Sequence, residues 1–157
     1  MENADPVILV VEDDINDQTF IQRAFRRSGV TNRIAIVNDG EEATAYLRGL
    51  DLYSDRTLHP LPRLIITDLK MPRMSGIELL GWLQEREEFR LIPAIVLTSS
   101  SDQTDITRAF EHGARGYMIK PVGFGELEKL VHTIAEYWKA SCVPAAVVPL
   151  GAGLGRR

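Results

Sequence analysis

The sequence predicts an α/β protein built on a doubly wound, parallel sheet. Three observations predict it. Short apolar runs rich in β-branched residues alternate five times with amphipathic stretches. The run Val7-Ile8-Leu9-Val10-Val11 is continuous rather than alternating, as suits a strand buried on both faces. Strands separated by helical stretches need crossovers, and right-handed crossovers place helices on both sides of a sheet.

The first strand is Val7 to Val11, and Asp14 then stands where a helix N-cap belongs. Ile21, Ala24, Phe25 and Ser28 make a helical stripe, with Gly29 as its stop. Arg33 to Val37 reads as the second strand, and Ala43, Tyr46, Leu47 and Leu50 mark the second helix. Residues 51–62, with Pro60 and Pro62, read as a long loop, either functional or a tolerated insertion. Leu64 to Thr67 is the third strand, and Ile77, Leu80 and Leu83 give the third helix. Ala94 to Leu97 is the fourth strand. The fourth helix is capped by Ser101 or Asp102, turns Ile106, Ala109 and Phe110 inward, and ends at Gly113. Tyr117 to Ile119 is a short fifth strand. Leu127, Leu130, Val131, Ile134 and Trp138 share one face of the last helix.

The chain has 157 residues, the length of one domain with room for an appendage. Its 18 Lys and Arg against 22 Asp and Glu give a net charge of -4, which argues against a DNA-binding surface. The single cysteine, Cys142, excludes an intrachain disulfide framework and a cysteine-cluster metal site. No apolar run approaches the ~20 residues that span a membrane. Met1 to Pro6 lacks the basic and apolar regions of a signal peptide, so a cytoplasmic location is expected. No role is assigned to His59, His112 or His132, and Trp82 and Trp138 read as structural.

Open α/β sheets bind ligands beyond the carboxyl ends of their strands. Glu12 and Asp13 follow the first strand, Asp68 the third, Thr98 and Ser99 the fourth, and Lys120 the fifth. Each alone could merely start a loop or cap a helix, and Asp14 reads better as a cap than as a ligand. Together they form a set. Two unit charges about 4 Å apart repel by roughly 4 kcal/mol at an effective dielectric of 20, and a hard divalent cation removes that repulsion. Mg²⁺ takes one or two carboxylates, waters and a phosphoryl oxygen. Lys120 adds a fixed positive charge and Thr98 a hydroxyl donor. The set suits binding or transfer of a phosphoryl group, and an aspartate can itself be the nucleophile.

The motifs Val-Val-Glu-Asp at 10–13, Thr-Asp-Leu-Lys-Met-Pro at 67–72, Ser75-Gly76, Leu-Thr-Ser at 97–99 and Gly-Tyr-Met-Ile-Lys-Pro at 116–121 carry a resemblance. From about Val7 to Trp138 the sequence resembles the receiver domain of two-component response regulators. That resemblance implies a flavodoxin-like (βα)5 fold with strand order 2-1-3-4-5. It makes Asp68 the acceptor of a phosphoryl group from a sensor histidine kinase. It assigns Mg²⁺ to Glu12, Asp13, Asp68 and the backbone carbonyl of Lys70. Lys120, Thr98 and Ser99 would contact the phosphoryl group, and Tyr117 would be the aromatic that reorients on activation. Glu12 departs mildly from the commoner aspartate.

Two other readings stand beside the switch. A haloacid-dehalogenase-type phosphatase wants a second aspartate where Lys70 stands. A pseudo-receiver, a binding module without phosphorylation, would lack a key residue, and none is missing. The output is expected to be a protein contact or a phosphorelay step. The long loop resembles that of receivers that partner phytochrome-type sensor kinases. It implies a homodimer through the face of the fourth helix, fifth strand and fifth helix, with no nucleic acid and no membrane. Residues 1–141 are expected to be the receiver and 142–157 a flexible tail or dimer arm.

Overall fold

The computed structural model describes residues 7–141. The N-terminal hexapeptide and the expected tail or dimer arm at 142–157 lie outside the described residues. Strands β1 (Val7–Val11), β2 (Ile34–Val37), β3 (Pro62–Thr67), β4 (Ala94–Thr98) and β5 (Gly116–Ile119) alternate with helices α1 (Ile15–Arg27), α2 (Gly40–Arg48), α3 (Gly76–Gln84), α4 (Gln103–Glu111) and α5 (Phe124–Ala140). All strand pairs are parallel, in the order β2-β1-β3-β4-β5. The predicted fold class and strand order are what the chain adopts.

Alternate residues of the buried strands serve opposite layers. Leu9, Val11, Ile65 and Val96 pack with α2 and α3 residues such as Leu47, Leu79 and Leu83. Ile8, Val10, Ile66 and Leu97 pack with Phe25 of α1 and Val131 and Ile134 of α5. β1 therefore reads as unbroken apolar sequence, and β3 and β4 carry the apolar runs Leu64–Ile66 and Ala94–Leu97. The polar groups that end these strands all emerge on one edge.

The capping expectations hold. Asp14 accepts the Asp17 amide, and Asp102, not Ser101, accepts the Thr104 amide. Trp82 stacks on Phe89, and Trp138 packs against the α1–α5 core, so both tryptophans are structural.

Element boundaries and one burial expectation differ from the sequence reading. β2 starts at Ile34, with Arg33 contributing only its carbonyl to Ile8. Leu50 does not belong to α2. Gly49 takes a left-handed φ of 67° after Arg48 and reverses the chain, leaving Leu50 partly exposed. β3 begins at Pro62, which opens the strand where a missing N–H is tolerated. Phe110 does not turn inward; it is half exposed. Burial on α4 centres on Ala109, and Phe110 lies 100° further round the helix, off the covered face.

Residues 51–61 are ordered by specific contacts. Asp51–Tyr53 form one 3₁₀ turn. Arg56 donates to the carbonyls of Tyr46, Leu47 and His59. Tyr46 donates to the Pro60 carbonyl, and the Tyr46, Tyr53 and His59 rings pack together with centroids 5.0–5.9 Å apart, His59 edge-on to both tyrosines. The segment is stapled to the end of α2, so its length carries no loose loop.

Candidate functional site

Four strand ends meet at one cleft lined by Glu12, Asp13, Asp68, Thr98, Ser99 and Lys120, with Asp14, Asp17, Lys70 and Ser100 around it. β1 delivers Glu12 and Asp13, because its last residue, Val11, pairs with Thr67 of β3 just before Asp68. The Asp68 amide donates to the Val11 carbonyl at 3.0 Å, which locks the two ends together. The Asp68 Oδ1 accepts the amide of Leu69 at 2.7 Å. β5 delivers Lys120, whose amide donates to the Thr98 carbonyl at 2.7 Å.

Lys120 is the electrostatic hub. Its Nζ donates to Glu12 Oε1, and to Asp17 Oδ2 and Asp68 Oδ2 at 2.9 Å each. Burial alone would lower the Lys120 pKa, but bonds to three carboxylates outweigh it and the net shift is upward. Glu12 is almost fully buried. Desolvation pushes its pKa up to about 7, against the opposing pull of Lys120 and the Asp14 amide.

Glu12, Asp13 and Asp68 can each present one carboxylate oxygen, all within 4.8 Å of one another. These are hard oxygen donors with excess negative charge, the donor chemistry that suits a divalent cation such as Mg²⁺. Asp14 stays outside this trio, spent as the α1 cap. Among the described residues no histidine joins a metal-type cluster.

The structure brings together every residue expected at the site except Tyr117, which lies one step away. Thr98 is buried at the end of β4 and Ser99 is exposed beside it. Lys70 follows Asp68 in the β3–α3 connection, and its ammonium lies 3.9 Å from Asp105 of α4. The Tyr117 ring packs against the α2–α3 layer, and its hydroxyl donates to the Ser100 carbonyl at 2.8 Å. The strand-end reading passes over two features. Asp17 reaches Lys120 from the first turn of α1, and the signal was its place three residues after the Asp14 cap. Arg73 adopts a left-handed φ of 65° and donates from Nε to buried Asp39 at 2.7 Å, tying the β3–α3 connection to the start of α2.

Comparison with known proteins agrees with this geometry. A family model described as the response regulator receiver domain matches residues 8–132. The probable methanogenesis regulatory protein FilR2 of Methanothrix harundinacea is 40% identical over 139 residues, covering 88% of this chain and 87% of that protein. Response regulator Rcp1 of Synechocystis is 31% identical over 145 residues, covering 92% and 97% of the two chains. A Mn(2+)-bound structure of Rcp1 superimposes with a TM-score of 0.81 over 89% of this chain and 99% of that one, at 30% identity. The phosphorylated cyanobacterial phytochrome response regulator RcpA gives 0.83, over 90% of this chain and all of that one, at 31% identity. With a family match across the five-stranded unit and relatives of nearly the same length, the chain belongs to the response regulator receiver domain family.

Proposed function

We propose that this protein is a phospho-acceptor switch in which Asp68 takes a phosphoryl group from a sensor histidine kinase. The observation that carries the reading is the placement of Asp68 between Lys120, at 2.9 Å, and the acidic pair Glu12 and Asp13. An Asp68 carboxylate oxygen attacks the donor phosphorus. The new O–P bond forms as the P–N bond to the kinase imidazole breaks, and the imidazole leaves to take up a proton. The result is an acyl phosphate. Phosphoryl transfer asks the protein mainly for positioning and charge stabilisation. Lys120 supplies a fixed cation beside the incoming oxygens. Glu12, Asp13, Asp68 and the Lys70 carbonyl would hold Mg²⁺, which neutralises the carboxylates and the developing phosphoryl charge when bound. The catalysis is confined to the protein's own phosphorylation and dephosphorylation.

The output is a change in protein contacts. A phosphoryl group adds about -1.5 to -2 charges. Thr98 and Ser99 would donate to it, drawing the segment after β4 toward Asp68. Ser100, which accepts the Tyr117 hydroxyl, lies in that segment, so its movement would release the ring. Taking such a face from 1:99 to 99:1 needs about 5.5 kcal/mol. Two or three hydrogen bonds to charged groups, at about 1.5–3 kcal/mol each, suffice. Exposed Phe110, Ile119 and Tyr137 on α4, β5 and α5 support homodimer formation through that face. The likeness to RcpA supports a phytochrome-type kinase as partner, and we place the exchange in the cytoplasm. Residues 1–141 form the receiver in this reading, and 142–157 a tail available to the dimer.

Incubation with Mg²⁺ and acetyl phosphate, followed by intact-mass measurement, tests the function. One added phosphoryl group, lost in Asp68→Asn, is the expected result. Absence of modification favours a pseudo-receiver, and continuous turnover of many phosphate esters favours a phosphatase.

A further inference from the structure

We propose that Asp17 is a positioning residue for phosphoryl acceptance, holding Lys120 over Asp68 once Glu12 and Asp68 are committed to a cation. The inference rests on the acceptor reading above and extends it to a residue outside the strand ends.

A lysine ammonium has three protons to donate. In this structure Nζ reaches three carboxylates, those of Glu12, Asp17 and Asp68. Two of these partners, Glu12 and Asp68, belong to the trio whose oxygens converge within 4.8 Å. Asp17 does not. A cation held by the trio, and a phosphoryl group on Asp68, would draw those two carboxylates away from Lys120. Asp17 is then the partner that stays.

Its mounting suits that duty. The Asp17 amide donates to Asp14 Oδ1 at 2.9 Å, which fixes the first turn of α1. The next residue, Gln18, donates its side-chain amide to the Glu12 carbonyl at 2.6 Å and to Asn38 Oδ1 at 2.9 Å. The turn that carries Asp17 is thus tied to the strand end that carries the acidic pair. Lys120 needs such an anchor because a four-carbon chain with a strongly hydrated head has no rigid preferred direction. Released at the mouth of an open cleft, it would spend time in solvent instead of beside the incoming phosphoryl oxygens.

The test compares the wild type, Asp17→Ala, Asp17→Asn and Asp17→Glu in phosphorylation by acetyl phosphate across a Mg²⁺ titration. Urea melts confirm that each variant is folded. At saturating Mg²⁺ the rate is expected to fall roughly three- to tenfold in Asp17→Ala, to fall less in Asp17→Asn, which keeps an acceptor oxygen, and to recover in Asp17→Glu. The half-saturating Mg²⁺ concentration is expected to stay within about twofold, because Asp17 stands outside the trio. An unchanged rate in Asp17→Ala, or a loss that added Mg²⁺ cures, overturns the proposal while leaving Asp68 as acceptor. A wild-type protein that is not modified at Asp68 overturns the acceptor reading and this proposal with it.

Discussion

Lys120 and Asp68, 52 residues apart in sequence, meet at 2.9 Å between Nζ and Oδ2. The contact joins the ends of β5 and β3, with β4 and its Thr98 between them. It places one nearly buried cation beside the carboxylate proposed to change charge, and it is shared with an even more buried acid, Glu12.

Lys120→Met is therefore expected to have two effects. Phosphorylation by acetyl phosphate should slow about tenfold or more, as removal of a preorganised charge does. Stability without Mg²⁺ should fall by about 2–3 kcal/mol, because Glu12 loses its buried partner and escapes part of the penalty only by holding its proton. Saturating Mg²⁺ should shrink that deficit by supplying the missing positive charge. Urea melts of variant and wild type, with and without Mg²⁺, check both parts.

Gly76→Ala should destabilise the protein by about 1–3 kcal/mol, through overpacking against backbone. Inside a helix, replacing glycine by alanine ordinarily gains about 1 kcal/mol, but Gly76 opens α3 directly after the Ser75 cap. Here an added Cβ would stand 2.0 Å from the Asp68 carbonyl oxygen and 2.9 Å from the Leu69 Cα. The backbone of the acceptor residue must move, so the phosphorylation rate should drop as well. A thermal melt paired with the acetyl phosphate rate reads both consequences.

Arg56→Ala should cost about 2 kcal/mol, since it strips a charged donor from the carbonyls of Tyr46, Leu47 and His59. The residues from 51 to 61 should then exchange their amides faster in hydrogen-exchange mass spectrometry. This segment leads into the start of β3, at the opposite end of the strand from Asp68. The phosphorylation rate should accordingly match the wild type.

Stability should fall as pH rises from about 10 to about 12. Burial, reinforced by the charge and hydrogen bond of Glu42, pushes the Tyr53 phenol from its ordinary value of 10.0 up to about 12, and burial raises Tyr46 as well. In that window the unfolded chain has released protons that the folded chain retains, so alkali favours unfolding. Below about pH 10 the contribution is fully present. Tyr53→Phe should flatten the decline between about pH 10 and about pH 12 in urea melts followed by circular dichroism.

Much of this was legible in the sequence because central parallel strands have no solvated face. Val7 to Val11 could be read as a strand from composition alone. Glu12 with Asp13, Asp68 and Thr98 could be read as neighbours because they end or follow such runs, and Lys120 because it follows the short apolar run of the edge strand β5. Phe110 was misread because a stripe of three residues does not say which edge of it the sheet covers. Leu50 was misread because its apolarity continued the helical spacing past a glycine that reverses the chain. Asp17 was passed over because its partner lies 103 residues away, after the edge strand β5, whose place beside β4 only the assembled sheet fixes. The contacts of Arg56 were equally out of reach, since a guanidinium that caps carbonyls leaves no periodic trace.

The most direct test of the account is to trap the acyl phosphate and locate it. Protein treated with Mg²⁺ and acetyl phosphate is reduced with borohydride, which converts an aspartyl phosphate to homoserine, and is then mapped by peptide mass spectrometry. Homoserine is expected at position 68 alone, dependent on both Mg²⁺ and the phosphoryl donor. Homoserine at position 13 or 17 instead, or none at all from folded protein, would contradict it.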